Sequence, residues 1–147
     1  MQQKLRKIHP NLESQIKTKL NKLLKAKITF PVRHSNWVSN MVPVRKKNGN
    51  FMICIDFRHL NKASQKDNFP LPTMEQTLHS VAGSELMSFL DGFSGYNQIL
   101  VHPNGRLKTN FRTKWGAYAY QKMPFGLINV GATFQRAMDI AFKGFNQ

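Results

Sequence analysis

The chain has 147 residues, and its 22 Lys and Arg against 7 Asp and Glu give a formal net charge of +15. A hydrophobic content of 41% with 11 Phe excludes a disordered chain and is sufficient for one domain with its own core. A positive surplus spread along the whole chain favours a polyanionic partner, because each neutralised phosphate releases counterions, although a solvated basic protein would show the same charge.

The first predicted element is an amphipathic helix over residues 11–25. Its apolar residues recur at three- and four-residue spacing, and lysines fill the other faces. The polar start of the chain lacks the apolar core of a signal peptide, and no apolar run reaches the roughly 20 residues that span a bilayer. A membrane-surface or calmodulin-target helix has the same pattern. We nevertheless expect the helix to dock onto the following domain of a soluble, intracellular protein with no membrane partner.

The next predicted element is a β-hairpin. Residues 38–44 and 51–57 favour strand, and the sequence RKKNGN at 45–50 contains an Asn-Gly pair that indicates a tight turn. Three consecutive cations at this turn make the hairpin a basic finger. Cys54 in the second strand is the only cysteine, which excludes an internal disulfide and a cysteine-based zinc cluster and favours a packing role.

A short helix is predicted after the Phe-Pro-Leu-Pro segment at 69–72. Thr73 and Gln76 have the spacing of a capping box, in which each side chain binds the other residue's backbone N–H. Gly83 is expected to stop this helix soon after Val81.

Asp91 is the strongest candidate for a chemical role. It follows the apolar run 86–90, which we predict to be a buried strand, and precedes the glycine-containing turn 92–96. A strand that delivers an acid to such a turn commonly presents a metal ligand at a sheet's edge, although an isolated acid there more often caps the turn. Two-metal chemistry needs at least two carboxylates around ions about 3.5–4 Å apart, and only Asp139 follows Asp91.

The C-terminal half is predicted to add strands, turns and a helix. In chain order these are a strand near 98–101, a turn at 103–105, a hairpin of strands 109–113 and 117–121, and a helix over 131–142. Because strands and helices interleave with hairpins, the chain is predicted to be α+β, with a largely antiparallel sheet and packed helices.

Five motifs occur in a specific order. They are VPVRKKNG at 42–49, IDFRHLN at 55–61, FPLP at 69–72, LDGFSGYNQI at 90–99, and MPFGL followed by ATFQR within 123–136. Each is weak alone, but together they resemble the fingers and the first half of the palm of reverse transcriptases from gypsy-type LTR retrotransposons. The form FLDGFSGYNQ is similar to that of plant elements. The resemblance covers about residues 8–147.

This resemblance implies a right-hand polymerase fold and an RNA-directed DNA polymerase activity. The N-terminal helix would occupy 1–27, the fingers 28–82, and a partial palm 83–147 that includes a fingers-type segment at 102–128. The second aspartate hairpin of the family is expected beyond residue 147, with the thumb and ribonuclease H regions. We therefore expect a truncated or degenerate copy that is inactive alone. Its expected location is inside the cell, either in a cytoplasmic virus-like particle or in the nucleus.

The resemblance also implies roles for individual residues. Asp91 would be the first catalytic aspartate and a ligand of two Mg²⁺ ions. Contacts to the deoxynucleotide triphosphate are expected from Lys46, Ser94, Gly95, Tyr96 and Phe125, with Lys46 on the γ-phosphate and Tyr96 as a gate against a 2′-hydroxyl. Contacts to an RNA/DNA primer–template are expected from Arg45, Lys47, Arg58, Asn61, Gly126 and Gln135. Asp56 and Arg58 could equally cap a strand end.

One departure and two alternatives bear on this interpretation. Met52 stands where relatives carry an arginine that clamps the triphosphate, and a thioether cannot replace a five-donor guanidinium. A degenerate copy could be a non-catalytic nucleic-acid-binding remnant that keeps the basic finger. An RRM-like RNA-binding protein is disfavoured because no segment resembles the aromatic motif of that family.

Overall fold

A five-stranded sheet organises the chain, for which the computed structural model describes residues 2–4, 6–47, 49, 51–89, 91–92 and 94–144. The strands are β1 Thr29–Val32, β2 Ser39–Arg45, β3 Phe51–Ile55, β4 Phe111–Thr113 and β5 Gly116–Tyr120, in the spatial order β1-β5-β4-β2-β3. Three neighbouring pairs are antiparallel, and β2 runs parallel to β4. The predicted α+β class with a largely antiparallel sheet is confirmed, and the parallel pair of β2 and β4 makes the sheet mixed.

The helices lie before, between and after these strands in the chain. They are α1 Glu13–Lys25, α2 Arg58–Ala63, α3 Met74–Val81, α4 Pro103–Arg106 and α5 Val130–Ala141, with 3₁₀ turns at 10–12, 95–98 and 107–109. The predicted capping box of α3 is formed: Thr73 Oγ1 accepts from Gln76 N at 3.2 Å, and Gln76 Oε1 accepts from Thr73 N at 2.9 Å. The predicted helices at 11–25, near 73–81 and at 131–142 are therefore confirmed, to within one or two residues.

The core lies between α1 and the sheet. Ile16 and Leu20 of α1 are 1% and 2% exposed, and they belong to the same buried cluster as Phe111 and Tyr120 of the sheet. The apolar stripe of α1 is thus covered by the domain that follows it, as expected. Within the described ranges, no helix combines the length and the apolar character needed to cross a bilayer.

The predicted buried strand at 86–90 is wrong. Residues 86–89 form no regular structure, Leu86 and Phe89 are 93% and 89% exposed, and Leu90 lies outside the described residues. A strand is stable only when a neighbouring strand takes its backbone hydrogen bonds. Because no strand of the described chain lies beside this run, its β propensity and apolar character are not enough to make it one.

Smaller differences have local causes. The strand expected near 98–101 is reduced to one bridge between Leu100 and Lys122, after the 3₁₀ turn at 95–98. The turn expected at 103–105 is the single-turn α4, because Pro103 fits the first turn of a helix and His102 Nδ1 accepts from Asn104 N. The second hairpin strand ends at Ile55, and α2 begins three residues later. Neither α2 nor β1 was predicted.

Candidate functional site

The basic finger is present as the β2–β3 hairpin. Arg45 pairs with Phe51, so the loop spans residues 46–50, one residue less than the predicted turn at 45–50. Gly49 has a φ of +80° and its N–H donates to Lys46 O at 3.0 Å, while Asn48 and Asn50 lie outside the described residues. Arg45, Lys46 and Lys47 are all exposed and join none of the ion pairs found among the described residues.

The Asp91 segment forms a tight turn, and some of its backbone N–H groups donate hydrogen bonds within the turn itself. Gly95 N donates to Gly92 O at 2.8 Å, and Asn97 N donates to Ser94 O at 2.8 Å. The Gly95 N–H, one of the predicted phosphate donors, is therefore occupied in this conformation. Ser94 has a φ of +50°, a left-handed conformation that is uncommon for a residue other than glycine and that concentrates at functional turns. Asp91 is exposed, and Phe93 lies outside the described residues.

Three aromatic rings hold this turn against the loop at 125–126. The Tyr96 ring lies edge-to-face with Phe125 at 4.9 Å between centroids and with Phe134 of α5 at 5.0 Å. A Cβ added to Gly95 would lie 2.8 Å from the Phe134 ring, so only glycine permits this approach. The structure thus brings together three predicted site residues, Gly95, Tyr96 and Phe125. It adds Phe134, a residue of the ATFQR motif for which the resemblance implied no role.

Gly95→Ala should destabilise the protein by about 1–3 kcal/mol, because the new methyl overpacks the Phe134 ring. Gly92→Ala is the matched control, since its Cβ would meet Phe134 only at an ordinary 3.8 Å. Urea unfolding measures both free energies. Phe134→Leu combined with Gly95→Ala should cost less than the sum of the two single changes, and strict additivity would show that Phe134 does not confine Gly95.

Asn61 holds the loop that carries Gly126. Its Nδ2 donates to Gly126 O at 2.8 Å, and its Oδ1 accepts from Ile128 N at 2.9 Å. Gly126 has a φ of +93°, and a Cβ there would meet the Phe57 ring at 3.7 Å. The structure therefore places Asn61 and Gly126 together, with the Asn61 amide bound to the protein's own backbone.

Arg58 pairs with Asp56 at the end of β3. Its Nη2 donates to Asp56 Oδ2 at 2.7 Å and its Nε to Asp56 Oδ1 at 2.8 Å. The backbone N–H of Arg58 also donates to Asp56 Oδ1, at 3.2 Å. The hydrogen bonds from the Arg58 side chain are the main reason why the pKa of the Asp56 carboxyl is lowered. The Arg58 side chain is 82% exposed, so its outer face can still contact a ligand.

Gln135 lies on α5, where its Nε2 donates to Asp139 Oδ1 at 2.8 Å. Asp139 is exposed, as predicted. The next residue, Arg136, was given no role, yet it forms a two-pronged ion pair with Asp67 at 2.9 and 3.1 Å and covers the Phe69 ring at 4.5 Å. Hydrogen bonds from Arg136 lower the pKa of the Asp67 carboxyl. These contacts fasten the segment before α3 to α5.

Asp91 is the predicted metal ligand, and the described part of the chain gathers no cluster of metal-ligating side chains around it. Among the described residues, no group of three or more His, Cys, Asp or Glu side chains is close enough together to hold a metal. Divalent ions such as Mg²⁺ require several oxygen ligands and give up their water reluctantly. A Mg²⁺ ion bound at Asp91 would therefore take further oxygen ligands, such as water or substrate phosphates.

A cleft of about 530 Å³ opens between α1, β3 and the loop at 124–126. Met52, Ile55, Asn97, Phe125 and Gly126 line one part of it, and the last four of these residues come from three separate sequence motifs. Met52 is half-exposed there. The Tyr96–Phe125 ring contact places the Asp91 turn beside this cleft.

Comparisons with known proteins agree with one another. Residues 44–147 match the family described as reverse transcriptase (RNA-dependent DNA polymerase). The retrovirus-related Pol polyproteins of the Drosophila melanogaster transposons 297 and gypsy are 34% and 35% identical, over 87% and 84% of this chain. The chain spans about 12% of the length of each.

A solved structure of foamy viral protease-reverse transcriptase in complex with RNA/DNA hybrid is similar with a TM-score of 0.76, at 16% identity. The likeness covers 96% of this chain and 19% of that one. At this identity the likeness shows the fold alone.

Proposed function

This chain belongs to the reverse transcriptase (RNA-dependent DNA polymerase) family, and from that premise we propose that it carries nucleotide- and template-binding parts of a polymerase that copies RNA into DNA. Its relatives are Pol polyproteins of gypsy-type retrotransposons. We assign residues 28–82 and 102–128 to the fingers, the rest of 83–147 to a partial palm, and the protein to the cell interior, in a virus-like particle or the nucleus.

One observation carries the proposal: elements far apart in sequence meet at a single cleft. Met52 of β3, Asn97 beside the Asp91 turn, and Phe125 all line it. Tyr96 packs on Phe125 at 4.9 Å, where its ring can act as the wall against a ribose 2′-hydroxyl. We place the deoxynucleotide triphosphate here, with Ser94 and Gly95 shaping the turn beside it. Lys46 would reach its phosphates from the finger, since a flexible ammonium suits a mobile phosphate.

We place the RNA/DNA primer–template along the basic finger and α5. Arg45 and Lys47 would bind phosphates from the exposed hairpin tip, and Arg58 would do so with the exposed part of its guanidinium. Asn61 would act indirectly, because its amide positions the Gly126 loop. The Gln135 side chain on α5 would be the remaining contact.

A second function, nucleic-acid binding without synthesis, is favoured because Asp91 belongs to no group of three or more metal-ligating side chains among the described residues. Two-metal nucleotidyl transfer needs at least two carboxylates around its ions. We propose that Asp91 contributes one ligand of a Mg²⁺ site whose other ligands are not among the described residues. The other described site residues would then bind and position the nucleotide and the nucleic acid.

The proposal predicts that the chain binds an RNA/DNA hybrid without sequence preference and with a steep dependence on salt. The charge of +15 neutralises phosphates and releases counterions, so log Kd should rise linearly with log salt concentration. Fluorescence anisotropy with two hybrids of unrelated sequence measures both properties. A Kd that stays constant between 50 and 300 mM salt would contradict the proposal.

A further inference from the structure

Helix α1 forms a second wall of the cleft beside Met52 and Phe125. This helix lies outside the five sequence motifs. Lys19 and Lys22 are the only charged residues that line the cleft among the described residues, and both are cations. The remaining lining on this side is largely apolar and comprises Leu23, Ile28, Ile53, Ile55, Tyr120 and Pro124. Burial raises the pKa of the Tyr120 hydroxyl, so this ring stays neutral. The cleft therefore combines a positive edge with an apolar and aromatic floor.

The two lysines have no carboxylate partner among the described residues. The ion pairs found there are Arg58–Asp56, Lys114–Glu13 and Arg136–Asp67. Lys19 Nζ donates to Phe51 O at the base of the basic finger, which leaves two of its three donors. Lys19 and Lys22 are three residues apart and so lie on the same face of α1, where like charges repel each other. An anion in the cleft would relieve this repulsion.

We propose that Lys19 and Lys22 bind the phosphates of a nucleotide whose base and sugar lie against the apolar part of this cleft. This inference rests on the proposed function and adds α1 to the nucleotide site. A nucleotide matches the lining because it joins a flat aromatic base, whose faces can pack on apolar side chains, to a multiply charged phosphate group. The lysines also place positive charge in the cleft that Met52 lines with an uncharged thioether. They are thus phosphate-binding residues outside every motif noted in the sequence.

Isothermal titration of the full chain tests this assignment, with dATP as the ligand and deoxyadenosine as its phosphate-free counterpart. Lys22→Met keeps the apolar stem and removes the charge, so it should weaken dATP binding about tenfold or more, since the lost contact is charge-assisted. Deoxyadenosine binding should not change. Lys25→Met is the matched control, because it removes the same charge from the same last turn of α1 at a residue that does not line the cleft.

Lys19→Met should act in the same direction, and thermal unfolding will show whether losing its bond to Phe51 O also affects folding. If Lys19→Met also impairs folding, the result for Lys22→Met alone decides whether the inference holds. The inference is overturned if dATP binds Lys22→Met as tightly as it binds the parent chain, or if Lys25→Met loses as much affinity for dATP as Lys22→Met does. It is also overturned if the parent chain shows no binding at millimolar dATP. Salt-dependent binding of the RNA/DNA hybrid by the same parent chain would leave the proposed function standing in each case.

Discussion

Replacing Arg45, Lys46 and Lys47 together with alanine should weaken binding of an RNA/DNA hybrid by about a hundredfold or more near 0.1 M salt. These three side chains are exposed at the tip of the β2–β3 hairpin, away from the core. Each phosphate contact that is lost should also reduce the slope of log Kd against log salt by about one unit. Anisotropy titrations at four or five salt concentrations give the affinity and the slope together.

The chain contains a matched control for this experiment. Lys4, Arg6 and Lys7 are also two lysines and one arginine, and their side chains are exposed, so their replacement with alanine removes the same charge from another place. This control should lose much less affinity, because general attraction to a polyanion falls off within about a Debye length. Equal losses of affinity and of slope in the two triple variants would show that the finger is not a specific contact surface.

The finger could be predicted from sequence because its signals are local. Two strand-forming runs flank an Asn-Gly pair, and the resulting hairpin pairs Arg45 with Phe51. Likewise, the 3.6-residue periodicity of α1 and the capping box of α3 depend on residues at most a few positions apart. The predicted turn at 45–50 and the observed loop at 46–50 differ only at Arg45, which is still paired with Phe51. Turn geometry also depends on how the twisted strands meet.

Features that depend on distant partners could not be predicted. The run at 86–89 has the composition of a strand, but no described segment pairs with it. Conversely, β1 contains Pro31 and reads poorly as a strand, yet it pairs with β5 over Thr29–Val32. The parallel pairing of β2 with β4 joins residues about 70 positions apart. No local pattern carries such information.

The candidate site shows the same division. The motifs marked Tyr96 and Phe125 individually, but their ring contact depends on a fold that brings the Asp91 turn and the 125–126 loop together. The role of Phe134 follows from its distance to the Cβ position of Gly95, which no sequence spacing reveals. Asn61 was predicted to contact the template, whereas its amide is bonded to the Gly126 loop. The template and nucleotide contacts themselves remain predictions.

The chain alone should not extend a primer in Mg²⁺, because Asp91 belongs to no group of three or more metal-ligating side chains among the described residues. Extension should appear when the chain is fused after Gln147 to the corresponding continuation of the transposon 297 Pol polyprotein. In that chimera, Asp91→Asn should lower the extension rate about a thousandfold, since an amide keeps the shape of the side chain but loses an anionic metal ligand whose contribution amounts to several kcal/mol.

Two controls separate loss of chemistry from loss of structure. Asp139→Asn changes another exposed carboxylate, which lies on α5 and accepts a hydrogen bond from Gln135. This variant should extend primers at nearly the parent rate. Asp91→Asn should also bind the RNA/DNA hybrid at least as tightly as the parent chimera, because it removes a negative charge facing a polyanion. Single-turnover extension assays with saturating hybrid measure the rate independently of binding. If the Asp91→Asn chimera extended primers at the parent rate, Asp91 could not be a metal ligand, and its place after an apolar run would mark only the start of a turn.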